Sequence, residues 1–249
     1  MDDNRDMLDF LEGILLSDYE VKRAENAEEA LAVCAADIPN IIVSDVMMPG
    51  IDGMELCRRI KNDINVSHVP VILLTAKVEN VDYVTGFDSG ADLYVTKPFS
   101  TDVLKAQIKG LLANRARLRE RLAANPSMVV SSDVISEVVP ESNIEKEFFE
   151  RMQMVIEDRM SDSTFTVDVL AKELAISRTG LFTKLKTLVG VTPNEYIRMI
   201  RLRKAAELLK STNLRINEVC WQVGFSSRSH FSKCFQEQYG MSPSEYKGS

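Results

Sequence analysis

Five side chains in the first hundred residues have the types and spacing to handle a phosphoryl group. Asp45 follows the apolar run Ile41-Ile42-Val43, Thr75 closes the run Val69–Leu74, and Lys97 follows Leu93-Tyr94-Val95. Asp2 and Asp3 stand just before the first helical stretch. If the three runs are neighbouring strands, three carboxylates, a hydroxyl and an ammonium converge on one sheet edge. Carboxylates held that close repel one another unless a cation sits among them. Oxygen ligands of this kind suit Mg²⁺, which takes a few carboxylates, waters and phosphate oxygens. One carboxylate can then attack phosphorus as a nucleophile, with the metal and Lys97 stabilising the charge on the transferring group.

Those residues are useful only if the chain folds as alternating strands and helices. Val21–Ala24, Ile41–Val43, Val69–Leu74 and Leu93–Val95 read as strands. Helical patterning fills Asn26–Ala36, Met54–Ile60, Val81–Asp88 and Thr101–Ala113. Such alternation predicts a parallel sheet with helices on both faces, and ligands of such sheets bind beyond the carboxyl ends of the strands. Arg115, Arg117, Arg119 and Arg121 prolong the last helix, and Pro126 and Pro140 mark a connector.

Charge divides the 249 residues. The net charge is −7, made of −10 over residues 1–110, −4 over 111–170 and +7 over 171–249. An acidic front and a basic back point to two domains with different partners, the basic one a candidate for nucleic acid. No apolar run approaches the roughly 18 residues of a membrane span, the first dozen residues are too acidic for a signal peptide, and four scattered cysteines read as reduced thiols. These features point to the cytoplasm, with no membrane contact.

The back of the chain repeats at an offset of 50 residues: Ser177-Arg178 matches Ser227-Arg228, Leu181 matches Phe231, and the Gly190, Pro193, Glu195 and Tyr196 set matches Gly240, Pro243, Glu245 and Tyr246. Each unit reads as helix, turn, helix: Val167–Leu174 then Arg178–Leu188, and Ile216–Val223 then Arg228–Tyr239. In that plan the second helix enters a major groove. Between the units, Thr192, Pro193 and Glu195 make an N-cap, first position and capping box. The helix they open runs to Ser211, about 28 Å at 1.5 Å per residue, a fair match to grooves about 34 Å apart. Arg198, Arg201, Arg203 and Lys204 along it could reach phosphates. Cys220, His230 and Cys234 lack a fourth ligand for zinc; Cys220 and Cys234 occupy apolar positions of the repeat and read as core, as does Trp221.

The front resembles the receiver domain of bacterial response regulators. The likeness is carried by Asp2-Asp3-Asn4, Ser44–Gly50, Asp52-Gly53, Leu74-Thr75-Ala76 and Lys97-Pro98-Phe99, with Thr75 30 residues after Asp45 and Lys97 22 after Thr75. The resemblance implies a doubly wound, five-stranded parallel sheet, with Asp45 as phosphoacceptor. Mg²⁺ would be held by Asp2, Asp3, Asp45 and the Met47 carbonyl. Thr75 and Tyr94 would be a switch pair, Lys97 a phosphoryl contact, and Lys97-Pro98 a cis bond. In that family an apolar strand precedes the acidic pair, whereas here only Met1 does. The expectation is therefore a truncated first strand in a chain whose start lies inside a longer protein. A frayed terminus, weak Mg²⁺ binding and slow phosphorylation of Asp45 would follow.

Residues 145–249 resemble the all-α, double helix-turn-helix domain of the AraC family, through Leu170-Ala171, Ser177-Arg178, Gly190–Tyr196, Val223-Gly224-Phe225 and Gly240-Met241-Ser242-Pro243. The resemblance implies base-reading positions at Thr179, Phe182 and Thr183, and at Arg228, Ser229, His230 and Lys233. Arg178, Lys184 and Lys186 are expected on phosphates, which position a protein without specifying sequence. The expected layout is a receiver over residues 1–113, a linker over 114–144 and a DNA-binding domain over 145–249. The expected function is a two-component regulator whose phosphorylation at Asp45 controls transcription. Its partners would be duplex DNA, a histidine kinase and, when phosphorylated, a second copy. The tract also resembles the cytoplasmic end of hybrid sensors, with the kinase in the same polypeptide. Two alternatives stay open: a phosphoaspartyl-type phosphohydrolase, and a DNA-binding protein whose receiver only dimerises.

Overall fold

A computed structural model describes residues 1–76, 89–124, 143–162 and 164–248. The chain forms two compact units, Met1–Arg117 and Leu118–Ser249. The expected helix at Val81–Asp88 and the proline-containing part of the connector lie outside the described residues.

In the first unit, α1 (Arg5–Leu15) and α2 (Ala27–Ala36) precede β1 (Ile42–Asp45). Then come α3 (Gly53–Asn62), β2 (Val71–Thr75), β3 (Leu93–Thr96) and α4 (Thr101–Ala124). Among the described residues the strands form one parallel sheet in the order β1-β2-β3. Strand alternation sorts the core. Val71 and Leu73 pack with Ala27, Ala30 and Cys34 of α2 and Leu56 and Ile60 of α3. Ile72 and Leu74 face Leu11 and Leu15 of α1 and Leu104 and Ile108 of α4. A strand buried on both faces is why Val71–Leu74 is apolar throughout.

Val21–Ala24 is not a strand. Among the described residues it joins no strand ladder, the sheet holding β1, β2 and β3. At the N-terminus, where fraying is expected, the backbone is hydrogen-bonded. The Met1 amine donates to the Val43 carbonyl at 2.7 Å, and Asp45 N donates back to the Met1 carbonyl at 3.0 Å.

The second unit is helical: α5 (Asn143–Asp158), α6 (Val167–Glu173), α7 (Arg178–Leu188), α8 (Pro193–Ser211), α9 (Ile216–Gln222), α10 (Arg228–Tyr239) and α11 (Pro243–Gly248). The capping box of α8 is formed by Thr192 and Glu195 as the sequence predicts, and the helix has the expected 19 residues. Ser177 and Ser227 cap α7 and α10 through the amides of Gly180 and His230. The turn between α9 and α10 passes through Gly224 at φ +77°, where a Cβ would lie 2.1 Å from the Met160 carbonyl oxygen. Only glycine fits both the left-handed backbone and that close approach. The core holds Phe148, Phe149, Tyr196, Phe231 and Phe235, all buried. Trp221, expected in the core, is 62% exposed. Val219, Cys220 and Val223 already supply the buried stripe of α9, which turns position 221 outward.

Candidate functional site

Asp45 ends β1 and is buried up to its carboxylate. The loop after it is held by Gly53 N, which donates to the Val46 carbonyl at 3.0 Å. A Cβ on Gly53 would sit 2.0 Å from the Asp45 carbonyl oxygen, so α3 can begin this close only with glycine. Asp2 is nearly inaccessible. One of its carboxylate oxygens accepts from Asn4 N at 3.0 Å, and Asn4 in turn caps α1 through Asp6 N and Met7 N. The acidic pair therefore lies at a helix N-terminus, where the backbone dipoles favour negative charge.

Lys97 ties the cluster together. Its Nζ lies 3.1 Å from Asp2 Oδ2 and 3.1 Å from Asp45 Oδ2, while its backbone N donates to the Thr75 carbonyl at 2.7 Å. The following bond to Pro98 is cis. Carboxylate oxygens of Asp2, Asp3 and Asp45 all lie within 4.8 Å of one another. Three carboxylates against one ammonium leave a local excess of negative charge, and that excess, with oxygen donors only, fits a hard divalent cation. Burial pushes the Met1 amine down to about 6, against the pull of Asp2 and Asp45. Thr75 stands half-buried at the end of β2. Tyr94 is half-buried on β3, its hydroxyl 2.7 Å from Ser89 Oγ; burial pushes that phenol up. The Met47 side chain is exposed beside Asp45.

Asn4 was read only as part of the Asp2-Asp3-Asn4 motif, without its capping role, and Ser89 was not read at all. The first has a readable signal, an Asn just ahead of an acidic first turn; the second has none.

In the second unit, Arg178, Thr179 and Lys186 of α7 are exposed, and Phe182 and Thr183 half-exposed. Arg178 Nη1 meets both carboxylate oxygens of Asp168, at 3.0 and 2.9 Å. Lys186 donates to the Gly190 carbonyl at 3.1 Å. On α10, Arg228, Ser229, His230 and Lys233 are all exposed. His230 Nε2 lies 3.3 Å from Cys234 Sγ, and Lys233 lies 4.0 Å from Glu237. Neither helix has an acidic residue in its first turn.

Lys184 cannot serve as a phosphate contact. It is wholly buried, 2.8 Å from Glu145 of α5 and over the Phe148 ring at 4.9 Å. The side chains along α8 are also largely engaged within the unit: Arg201 with the Asp162 carbonyl, Arg203 with Glu157 and Lys204 with Glu207. Cys220 and Cys234 are buried, as expected of core residues.

Residues 1–109 match the family described as response regulator receiver domain, and residues 170–249 one described as helix-turn-helix domain. The chain is 38% identical over 247 residues to Histidine kinase P4 of Formosa agariphila. That alignment covers 99% of the chain but only 18% of the relative's length. Among solved structures, the receiver domain of a signal transduction histidine kinase from Syntrophus aciditrophicus is 35% identical, with a TM-score of 0.44, covering 46% of this chain and 87% of that one. The C-terminal domain of the two-component response regulator yesN from Fusobacterium nucleatum is 34% identical, with a TM-score of 0.37, covering 39% and 95%.

Proposed function

The chain belongs to the response regulator receiver family through residues 1–109 and to the AraC-type helix-turn-helix family through residues 170–249, and from that premise we propose that phosphorylation of Asp45 controls its binding to duplex DNA and so transcription. The observation that carries the proposal is the Lys97 ammonium seated between the carboxylates of Asp2 and Asp45.

In this reading, receiver, linker and DNA-binding domain span residues 1–113, 114–144 and 145–249. A carboxylate oxygen of Asp45 forms a bond to phosphorus as the bond from phosphorus to a kinase imidazole breaks. Lys97 exchanges its contact with Asp45 for one with the incoming phosphoryl oxygens, and the Thr75 hydroxyl donates to another. Asp2, Asp3, Asp45 and the Met47 carbonyl are the groups that would hold Mg²⁺, whose charge would offset that of the transferring phosphoryl group. Thr75 and Tyr94 then shift together. That shift favours self-association, which raises the effective concentration of the DNA-binding domains on a paired site. Thr179, Phe182 and Thr183 of α7, and Arg228, Ser229, His230 and Lys233 of α10, read the bases; Arg178 and Lys186 hold phosphates. The work is done in the cytoplasm, with the histidine kinase in the same or a separate polypeptide.

Incubation with acetyl phosphate and Mg²⁺, followed by intact mass measurement, tests the site. Uptake of one phosphoryl group, lost in Asp45→Asn, is the expected result; equal uptake by Asp45→Asn refutes the assignment.

A further inference from the structure

A chain of three polar groups ties α3 to β3 through an otherwise apolar part of the first unit. Ser89, shortly ahead of β3, is only 1% exposed, and its Oγ lies 2.7 Å from the Tyr94 hydroxyl. The Ala91 amide donates to the same oxygen at 3.4 Å. The third group is the sealed thiol of Cys57 on α3. Burial pushes that thiol up to about 11, with the Lys61 charge and the Ser89 hydroxyl acting against the rise.

The register of the sheet shows what this chain restrains. Tyr94 pairs with Leu73, and Thr96 with Thr75. Side chains alternate along a strand, so Tyr94, Leu73 and Thr75 lie on one face. The Tyr94 ring packs against the core on that face, which holds Leu56, Cys57 and Leu73. It is therefore held at both ends, by β3 at its Cβ and by Ser89 at its hydroxyl. Tyr94 is half-buried, so a change of rotamer can carry the hydroxyl to water. Such a swing breaks the bond to Ser89, and water cannot replace it on a side chain sealed from solvent. The latched ring coexists with Lys97 paired to the free Asp45 carboxylate, which makes it the resting arrangement.

We propose that Ser89 is a positioning residue that latches Tyr94 in its resting orientation and so sets how readily Asp45 takes up a phosphoryl group. The proposal rests on the reading that phosphorylation of Asp45 moves Thr75 and Tyr94 together. Ser89 touches no reacting atom and acts on populations alone. Phosphorylation shifts an equilibrium only by its differential energy between the two states, and the Ser89 bond is subtracted from that difference. A single hydrogen bond of ordinary net strength changes such a ratio about three- to tenfold.

The test uses the full chain, with fluorotyrosine at its six tyrosines, followed by fluorine NMR, beside the rate of phosphoryl uptake from acetyl phosphate and Mg²⁺ by intact mass. Tyr94→Phe identifies the Tyr94 resonance by its loss. That resonance should move in Ser89→Ala and return towards its starting position in Ser89→Thr, which keeps the hydroxyl. Uptake should quicken about three- to tenfold in Ser89→Ala, by a similar factor in Tyr94→Phe, and no further in the double variant, because both changes remove the same bond. An unmoved resonance in Ser89→Ala overturns the inference, and so does uptake that is unchanged, slower, or additive in the double variant. If Ser89→Ala does not fold, the uptake rate of Tyr94→Phe decides. Failure of the unchanged chain to take up any phosphoryl group would instead sink the reading beneath the proposal, and the resonance would still decide whether Ser89 holds Tyr94.

Discussion

Replacing Glu145 by alanine would leave the Lys184 ammonium inside the second unit without the carboxylate that lies 2.8 Å away. Both side chains are sealed from solvent, so water cannot take over from the lost partner. Breaking such a pair from one side costs about 3–5 kcal/mol. With a urea dependence of about 2 kcal/mol per molar, the unfolding midpoint of this unit should fall by about 2 M. Trp221 is the sole tryptophan, so its fluorescence anisotropy follows the second unit without interference from the first. The double variant Glu145→Leu/Lys184→Met replaces both charges with apolar groups of similar size. It should recover most of the loss, because desolvating an ion pair offsets much of its attraction. A fall below about 0.5 M in Glu145→Ala, or a double variant as unstable as the single one, would refute the argument. The outcome also bears on DNA binding, since Lys184 lies on α7, the helix proposed to carry Thr179 and Thr183.

Lys97→Met should slow phosphoryl uptake from acetyl phosphate at least tenfold, a barrier change of about 1.4 kcal/mol, as timed by intact mass. Arg228→Ala should cost about 1–3 kcal/mol on a selected duplex and relax discrimination at one base, whereas Lys186→Ala should weaken all sequences alike and reduce the salt slope by about one; competition binding at several salt concentrations separates the two. Burial pushes the Cys57 thiol from 9.0 up to about 11. An acid whose pKa is raised by folding adds stability that is complete below the unfolded value and disappears as pH climbs through the folded one. Unfolding midpoints should therefore decline between pH 9 and 11, and Cys57→Ala should flatten part of that decline.

The convergence of Asp45, Thr75 and Lys97 was legible because each follows an apolar run, and a parallel sheet brings the ends of such runs together. The observed strands begin and end within two residues of the runs that announced them. The helix-turn-helix repeat was legible from its caps: serine before each second helix and Thr192 with Glu195 before α8. What failed depended on partners remote in sequence. Lys184 looked solvent-facing because it is charged, yet it lies beside the Leu181 and Leu185 stripe and is compensated by a carboxylate 39 positions away. Trp221 looked like core because it is large, but its neighbours on α9 had filled that face. Val21–Ala24 has the composition of a strand but joins no strand ladder among the described residues. The fraying expected of Asp2 was prevented by the backbone bonds of Met1, which no side-chain pattern announces.

The central claim is that chemistry at Asp45 governs the grip of the second unit on DNA. Its most direct test is the Kd of the full chain for a duplex selected from a random pool, measured with and without acetyl phosphate and Mg²⁺, beside Asp45→Asn. Couplings of this kind are typically about 1–3 kcal/mol, so phosphorylation should tighten binding at least about fivefold and leave Asp45→Asn unchanged. The same Kd in phosphorylated and unphosphorylated chain would contradict the account.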